Sequence, residues 1–110
     1  MPTRTIYIDV DQTLIGVDSN LLPGVRDKLE YLWRYGYELI CWSGGGKEYA
    51  QKICDKNNIT QYFRMFLDKP DIIVDDNPDS IMGHARVCKV DSEDWWVNHF
   101  PNMMYKKEVF

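Results

Sequence analysis

The sequence lacks any apolar run approaching the roughly 18 residues that span a bilayer, and its opening MPTRTIYIDV lacks the long apolar core of a secretory leader. It also lacks a block of like charge. With a formal net charge of -4 and a pI near 5.0, tight nonspecific binding to nucleic acid or to an anionic membrane is disfavoured. Cysteine is scarce. Cys41, Cys54 and Cys88 are odd in number, far apart and set among apolar neighbours, which fits reduced core thiols better than a disulfide framework or a zinc site. His84 and His99 form no ligand pattern and read as surface or capping residues. Repeats, linkers and low-complexity segments are also missing, so the expectation is one cytoplasmic domain over residues 1–110, large enough for a single core.

What the chain does contain is an alternation of strand and helix signals. Residues 4–10 are nearly continuously apolar, as in the buried middle of a parallel sheet. Pro23 suits a first helical position, Val25, Leu29, Leu32 and Trp33 recur at helical spacing, and Gly36 suits the far end, which predicts an amphipathic helix over 23–35. YELICWS reads as a second strand. Ala50, Ile53 and Cys54 mark the inner face of a helix over about 46–57, closed by Asn57 and Asn58, and YFRMFL reads as a short third strand. PDIIVDDNPD repeats the opening pattern, a strand running into two acids, with Asn77 and Pro78 as cap and first residue of a short helix. RVCKV reads as a fifth strand, and Ser92 caps a last helix whose first turn holds Glu93 and Asp94.

This order predicts an α/β fold of three layers, a parallel sheet with helices on both faces, in which right-handed crossovers align the carboxyl ends of the strands along one edge. Ligands bind at that edge. The polar residues that need explaining all fall there: Asp9 and Asp11 after the first strand, Ser43 after the second, Lys69 before the fourth, and Asp75 and Asp76 at its end.

Side chains two apart share a face of a strand, so Asp9 and Asp11 can approach one centre while the backbone stays extended. With Asp75 and Asp76 nearby, repulsion among the carboxylates calls for a cation, and an oxygen-only donor set suits a hard ion such as magnesium. Magnesium, Lys69, the Ser43 hydroxyl and the amides of SGGG, Gly44 among them, form a cradle for a phosphoryl group. One carboxylate of the first pair can attack phosphorus while the other exchanges a proton with the leaving group.

These residues resemble the haloacid dehalogenase (HAD) superfamily of aspartate-nucleophile phosphatases. DVDQT looks like its first motif, DxDxT; Ser43 at the end of LICWS like its second; Lys69 like its third; IIVDD like its fourth. The resemblance covers about residues 4–90. It implies a Rossmann-like, HAD-like fold and a magnesium-dependent phosphomonoester hydrolase in which Asp9 forms an aspartyl-phosphate and Asp11 acts as general acid, then base. It implies that the Asp9 carboxylate, the Asp11 backbone carbonyl and the Asp76 side chain hold magnesium with support from Asp75, while Ser43 and Lys69 bind the phosphate. An aspartate at position 11, where the ion-pumping members carry threonine, favours hydrolysis.

Gln12 departs from the pattern, standing where glycine is common. Nine residues between Thr13 and Pro23, and about 25 between Ser43 and Lys69, leave no room for a cap domain. A capless site would take a macromolecular end, as in the similar phosphatase domain of polynucleotide kinase-phosphatases, or a sugar or nucleotide phosphate with a neighbouring subunit of a homo-oligomer as lid. The acidic pI weighs against the nucleic-acid end.

Two rival functions use the same residues. A receiver-like phosphoacceptor signalling domain also gathers acids, magnesium, a hydroxyl and a lysine at strand ends, but its phosphate-accepting aspartate ends the third strand, where only Asp68 is available. A catalytically silent binding module on the same fold is the other. For each acidic pair taken alone, a solvated turn is the plain alternative. GGGK lacks the GxxxxGK[ST] spacing of a phosphate loop, so its glycines read as a turn opening the second helix. Trp95 and Trp96 read as cover for the sheet or a subunit contact, and MMYKKEVF as a loose tail or a partner contact.

Overall fold

The computed structural model describes residues 4–77 and Val90. The chain divides into two compact units, Met1–Lys69 and Pro70–Phe110. In the first unit the elements run β1 (Thr5–Ile8), α1 (Val25–Arg34), β2 (Glu38–Ser43), α2 (Lys47–Lys56), a 3-10 turn (Thr60–Tyr62) and β3 (Phe63–Asp68). β2 lies between the other two strands and is parallel to both, with Ile8 opposite Cys41 and Ser43 opposite Asp68. The parallel α/β organisation expected from the sequence is therefore present. YFRMFL is a full sheet member, shifted one residue to Phe63–Asp68.

Each crossover moves the chain one strand in the same direction, so right-handed connections place α1 and α2 on one face of the sheet. That face carries the core. Ile8, Leu39 and Cys41 from the strands meet Val25, Leu29 and Leu32 of α1 and Ala50, Ile53 and Cys54 of α2, all buried together with Leu14, Ile15 and Ile59. Burying each large aliphatic side chain contributes about 1.5–3 kcal/mol. The Cys41 and Cys54 sulfurs lie 3.9 Å apart as free thiols, and their mutual hydrogen bond, together with burial, pushes the Cys41 thiol far above its usual range. Both are inert packing groups in this state. Side-chain alternation assigns Tyr7, Ile40, Trp42, Met65 and Leu67 to the opposite face. The second helical layer anticipated there falls on residues outside those described.

Both helices end in the same way. After α1, Gly36 donates to the Trp33 carbonyl and Tyr37 to that of Leu32; after α2, Asn58 donates to Asp55 and Ile59 to Cys54. These paired bonds satisfy the last carbonyls and require a left-handed residue, supplied by Gly36 at φ 87° and Asn58 at φ 57°. The start of α1 differs from expectation. Gly24 stands at φ 76° as its cap, so Pro23 precedes the helix instead of opening it.

The described part of the second unit corrects one expectation. Residues 71–77 form no strand, and Ile72, Ile73 and Val74 are exposed. Apolar, β-branched composition favours a strand, but only ladder hydrogen bonds to a neighbour make one. The fifth strand, the short helix from Pro78, the helix from Ser92, Cys88, His84, His99, Trp95, Trp96 and the tail lie outside the described residues. Among those described, no helix is long and apolar enough to cross a membrane.

Candidate functional site

The first unit's site is built at the carboxyl ends of its three strands. β1 ends at Ile8, Asp9 follows, and the chain bends at Val10. The buried Val10 carbonyl accepts from the amides of Thr13, Leu14 and Ile15 at 3.3, 2.9 and 3.3 Å, closing a tight turn. A small hairpin follows, with Ile15 bridged to Leu21 and the Leu22 amide donating to Leu14 at 2.9 Å. The extended backbone expected through Asp11 is thus broken by the turn, and the two aspartates find different partners.

Gln12 occupies the left-handed region at φ 62°. A side chain there costs roughly 1–2 kcal/mol, against which glycine loses about 0.5–1 kcal/mol of extra backbone entropy. Gln12→Gly is therefore expected to stabilise the chain by about 0.5–1 kcal/mol in chemical denaturation. A loss of stability would show that the Gln12 side chain makes a compensating contact.

Asp9 meets Lys69 across the strand ends, with Nζ 3.1 Å from Oδ1. The lysine is held from three directions. Its amide donates to the Ser43 carbonyl at 3.0 Å, continuing the β2–β3 ladder, and its ammonium lies 5.8 Å from the centroid of the Trp42 ring, within cation–π range. The alternation that places Tyr7 and Trp42 on one face carries Asp9 and Lys69 to the same side. Both charged side chains remain more than a third exposed, so the pair is open to an incoming anion.

Ser43 is buried at the end of β2, and its Oγ accepts from the Gly45 amide at 3.0 Å. The glycine turn then enters α2. Gly46, at φ 104°, has a backbone that L side chains rarely adopt, and the next amide, of Lys47, donates to Asp68 Oδ1 at 2.6 Å. An acceptor from β3 thus satisfies an orphan donor of the first helical turn and places negative charge at the positive end of the helix. A Cβ on Gly44 would meet open space, so this part of the loop faces outward.

Tyr49, in that first turn, donates its hydroxyl to Asp11 Oδ1 at 2.7 Å. The hydrogen bond to Asp11, with some burial and the charges of Asp11 and Asp9, raises the Tyr49 phenol above its ordinary value, so it remains a proton donor. Sequence patterning missed Tyr49 and Trp42. The available signals were an aromatic off the Ala50, Ile53, Cys54 face in a polar first turn, and an aromatic out of phase with the core alternation of β2.

The first unit thus brings together Asp9, Lys69 and the Ser43 backbone, and beside them Asp11 with Tyr49. Asp75 and Asp76 belong to the second unit. There Asp75 Oδ1 accepts from the Asn77 amide at 2.8 Å, an Asx turn, and Asp76 is exposed. Among the described residues, no group of three or more acidic, histidine or cysteine side chains is placed to hold a metal ion. The donors that are present, Asp9 and Asp11, are oxygens of the hard type that suits magnesium. No protein-family model, curated protein or solved structure matches the chain.

Proposed function

We propose that the chain is a capless phosphomonoester hydrolase of the haloacid dehalogenase type that acts through an aspartyl-phosphate on Asp9. The observation that carries this reading is the Asp9–Lys69 pair: a carboxylate and a cation from segments sixty residues apart, 3.1 Å from one another at the strand ends and open to solvent. A phosphate monoester brings negative charge to a carboxylate nucleophile, and a neighbouring cation offsets that repulsion.

Asp9 attacks phosphorus as the bond to the leaving oxygen breaks, and a protonated Asp11 gives its proton to that oxygen. Asp11, now a carboxylate, takes a proton from water; the water oxygen bonds to phosphorus, the bond to Asp9 breaks, and inorganic phosphate leaves. Lys69 and the Gly44 amide bind the phosphoryl oxygens. Of the residues that the resemblance assigns to magnesium, the Asp9 carboxylate and the Asp11 carbonyl stand in the first unit and would hold the ion. The ion would supply charge neutralisation at the phosphoryl oxygens.

Strand order favours this reading over a receiver domain. Receiver domains follow the order 2-1-3-4-5, with the third strand beside the first, whereas here β2 separates β1 from β3, as in the 3-2-1 half of a Rossmann-like sheet. Asp68, the residue a receiver would phosphorylate, is engaged by the Lys47 amide. A cytoplasmic setting accords with the free thiols of Cys41 and Cys54. The substrate is a small sugar or nucleotide phosphate, or a macromolecular end such as a polynucleotide 3'-phosphate.

The deciding experiment measures phosphate release from p-nitrophenyl phosphate, sugar phosphates, nucleotides and 3'-phosphorylated oligonucleotides, with magnesium and with chelator. Turnover that chelator abolishes and magnesium restores is the expected result. A folded protein that turns over none of them sinks the proposal.

A further inference from the structure

We propose that Tyr49 is a positioning residue for Asp11, holding one carboxylate oxygen so that the other faces the leaving group; this rests on the phosphatase reading above. The hydroxyl donates to Oδ1 at 2.7 Å across 38 residues of sequence. With Oδ1 turned to the tyrosine hydroxyl, Oδ2 is the oxygen left to face the leaving group. Tyr49 therefore selects which oxygen is the acid.

The main chain on both sides of this contact is anchored. A Cβ on Gly45 would lie 3.1 Å from Tyr49 Cδ2, so the middle glycine of SGGG leaves room for the tyrosine at close range. Gly45 is itself tied to Ser43 Oγ at 3.0 Å, and the helix that carries Tyr49 is tied at its first amide to Asp68. On the other side, Asp11 sits at the base of the hairpin, bridged to Ile15, with the Gln12 amide donating to the Ile15 carbonyl at 2.8 Å. The segments that carry the hydroxyl and the carboxylate are thus each anchored by main-chain bonds.

The test compares kcat/KM for p-nitrophenyl phosphate and for glycerol phosphate, with magnesium, in the wild-type chain, Tyr49→Phe, Gly45→Ala and Asp11→Asn. This ratio reports the steps up to phosphoryl transfer, where an alkoxide leaving group needs a proton and nitrophenolate hardly does. Asp11→Asn should lose about a hundredfold on glycerol phosphate, the scale of a missing general acid. Tyr49→Phe, which keeps the ring, should lose about tenfold on glycerol phosphate and less than about twofold on p-nitrophenyl phosphate, since the acid is misaimed rather than absent. Gly45→Ala, which displaces the ring and keeps the hydroxyl, should show the same selectivity. Equal losses on both esters, or none on either, in Tyr49→Phe overturn the positioning role while the phosphatase reading stands. If the wild-type chain turns over neither ester, that reading fails and this inference falls with it.

Discussion

Asp9→Asn should release phosphate at least about 10⁴-fold more slowly than the wild-type chain, while its unfolding free energy stays within about 1 kcal/mol. The two side chains have nearly the same shape, so packing at the end of β1 is unchanged. What goes is the anionic oxygen proposed to attack phosphorus, and a neutral amide oxygen is a poor replacement. The lost ion pair with Lys69 is a partly exposed one, each side chain more than a third accessible, and such pairs contribute about 0.2–1 kcal/mol. Acid-quenched wild-type protein should carry a hydroxylamine-labile phosphoryl group, and the variant none. If Asp9→Asn kept wild-type turnover, the nucleophile would lie elsewhere; if it lost turnover and stability together, the experiment would have reported on folding.

The parts of this architecture that were legible in the sequence are those governed by local periodicity and backbone chemistry. α1 and α2 follow the spacing of their buried residues, and Gly36 and Asn58 close them because each takes the left-handed conformation that the terminal bonds require. β2 was visible because its apolar run extends between helix signals. The beginnings were harder to read. Gly24 and Gly46 cap α1 and α2 without a side chain to accept from the helix amides, and the acceptor at the start of α2, Asp68, is distant in sequence. IIV at 72–74 shows the reverse case: ideal strand composition without ladder bonds leaves the residues exposed and irregular.

The candidate site divides along the same line. Asp9 and Lys69 could be proposed as neighbours because parallel strands with right-handed crossovers bring their carboxyl ends to one edge. The departure at Gln12 was legible as an oddity and finds its meaning in a φ of 62°. Tyr49 was not legible. Its role depends on the bend at Val10, which turns Asp11 away from the line of β1 and toward α2, and no spacing rule encodes that bend. A pair of carboxylates that looked equivalent by alternation has become two groups in different surroundings, Asp9 beside a cation and Asp11 beside a neutral donor. That asymmetry suits the two roles proposed for them, a nucleophile and a proton carrier.

Lys69 has two readings with opposite consequences, and this makes Lys69→Met the second decisive variant. As a phosphate ligand, the ammonium stabilises charge on the transferring group, and its removal should lower kcat/KM about 10³-fold, the upper end of what one electrostatic donor supplies. As a simple counter-ion to Asp9, it occupies Oδ1 at 3.1 Å in the resting protein, and its removal would leave turnover unchanged or raise it by freeing the attacking oxygen. The substitution is clean in either case. The methionine keeps the length of the stem, the main-chain bond from residue 69 to the Ser43 carbonyl does not depend on the side chain, and Trp42 loses a cation but retains an apolar neighbour. Geometry favours the first reading, because the ammonium lies between a carboxylate and an aromatic face at an accessible edge, where an arriving phosphate can share it without breaking the fold. Competitive inhibition by inorganic phosphate provides an independent readout. It should weaken in Lys69→Met together with turnover and recover in part in Lys69→Arg, which restores charge with a different reach. Weakened turnover with unchanged phosphate inhibition would instead confine Lys69 to orienting Asp9.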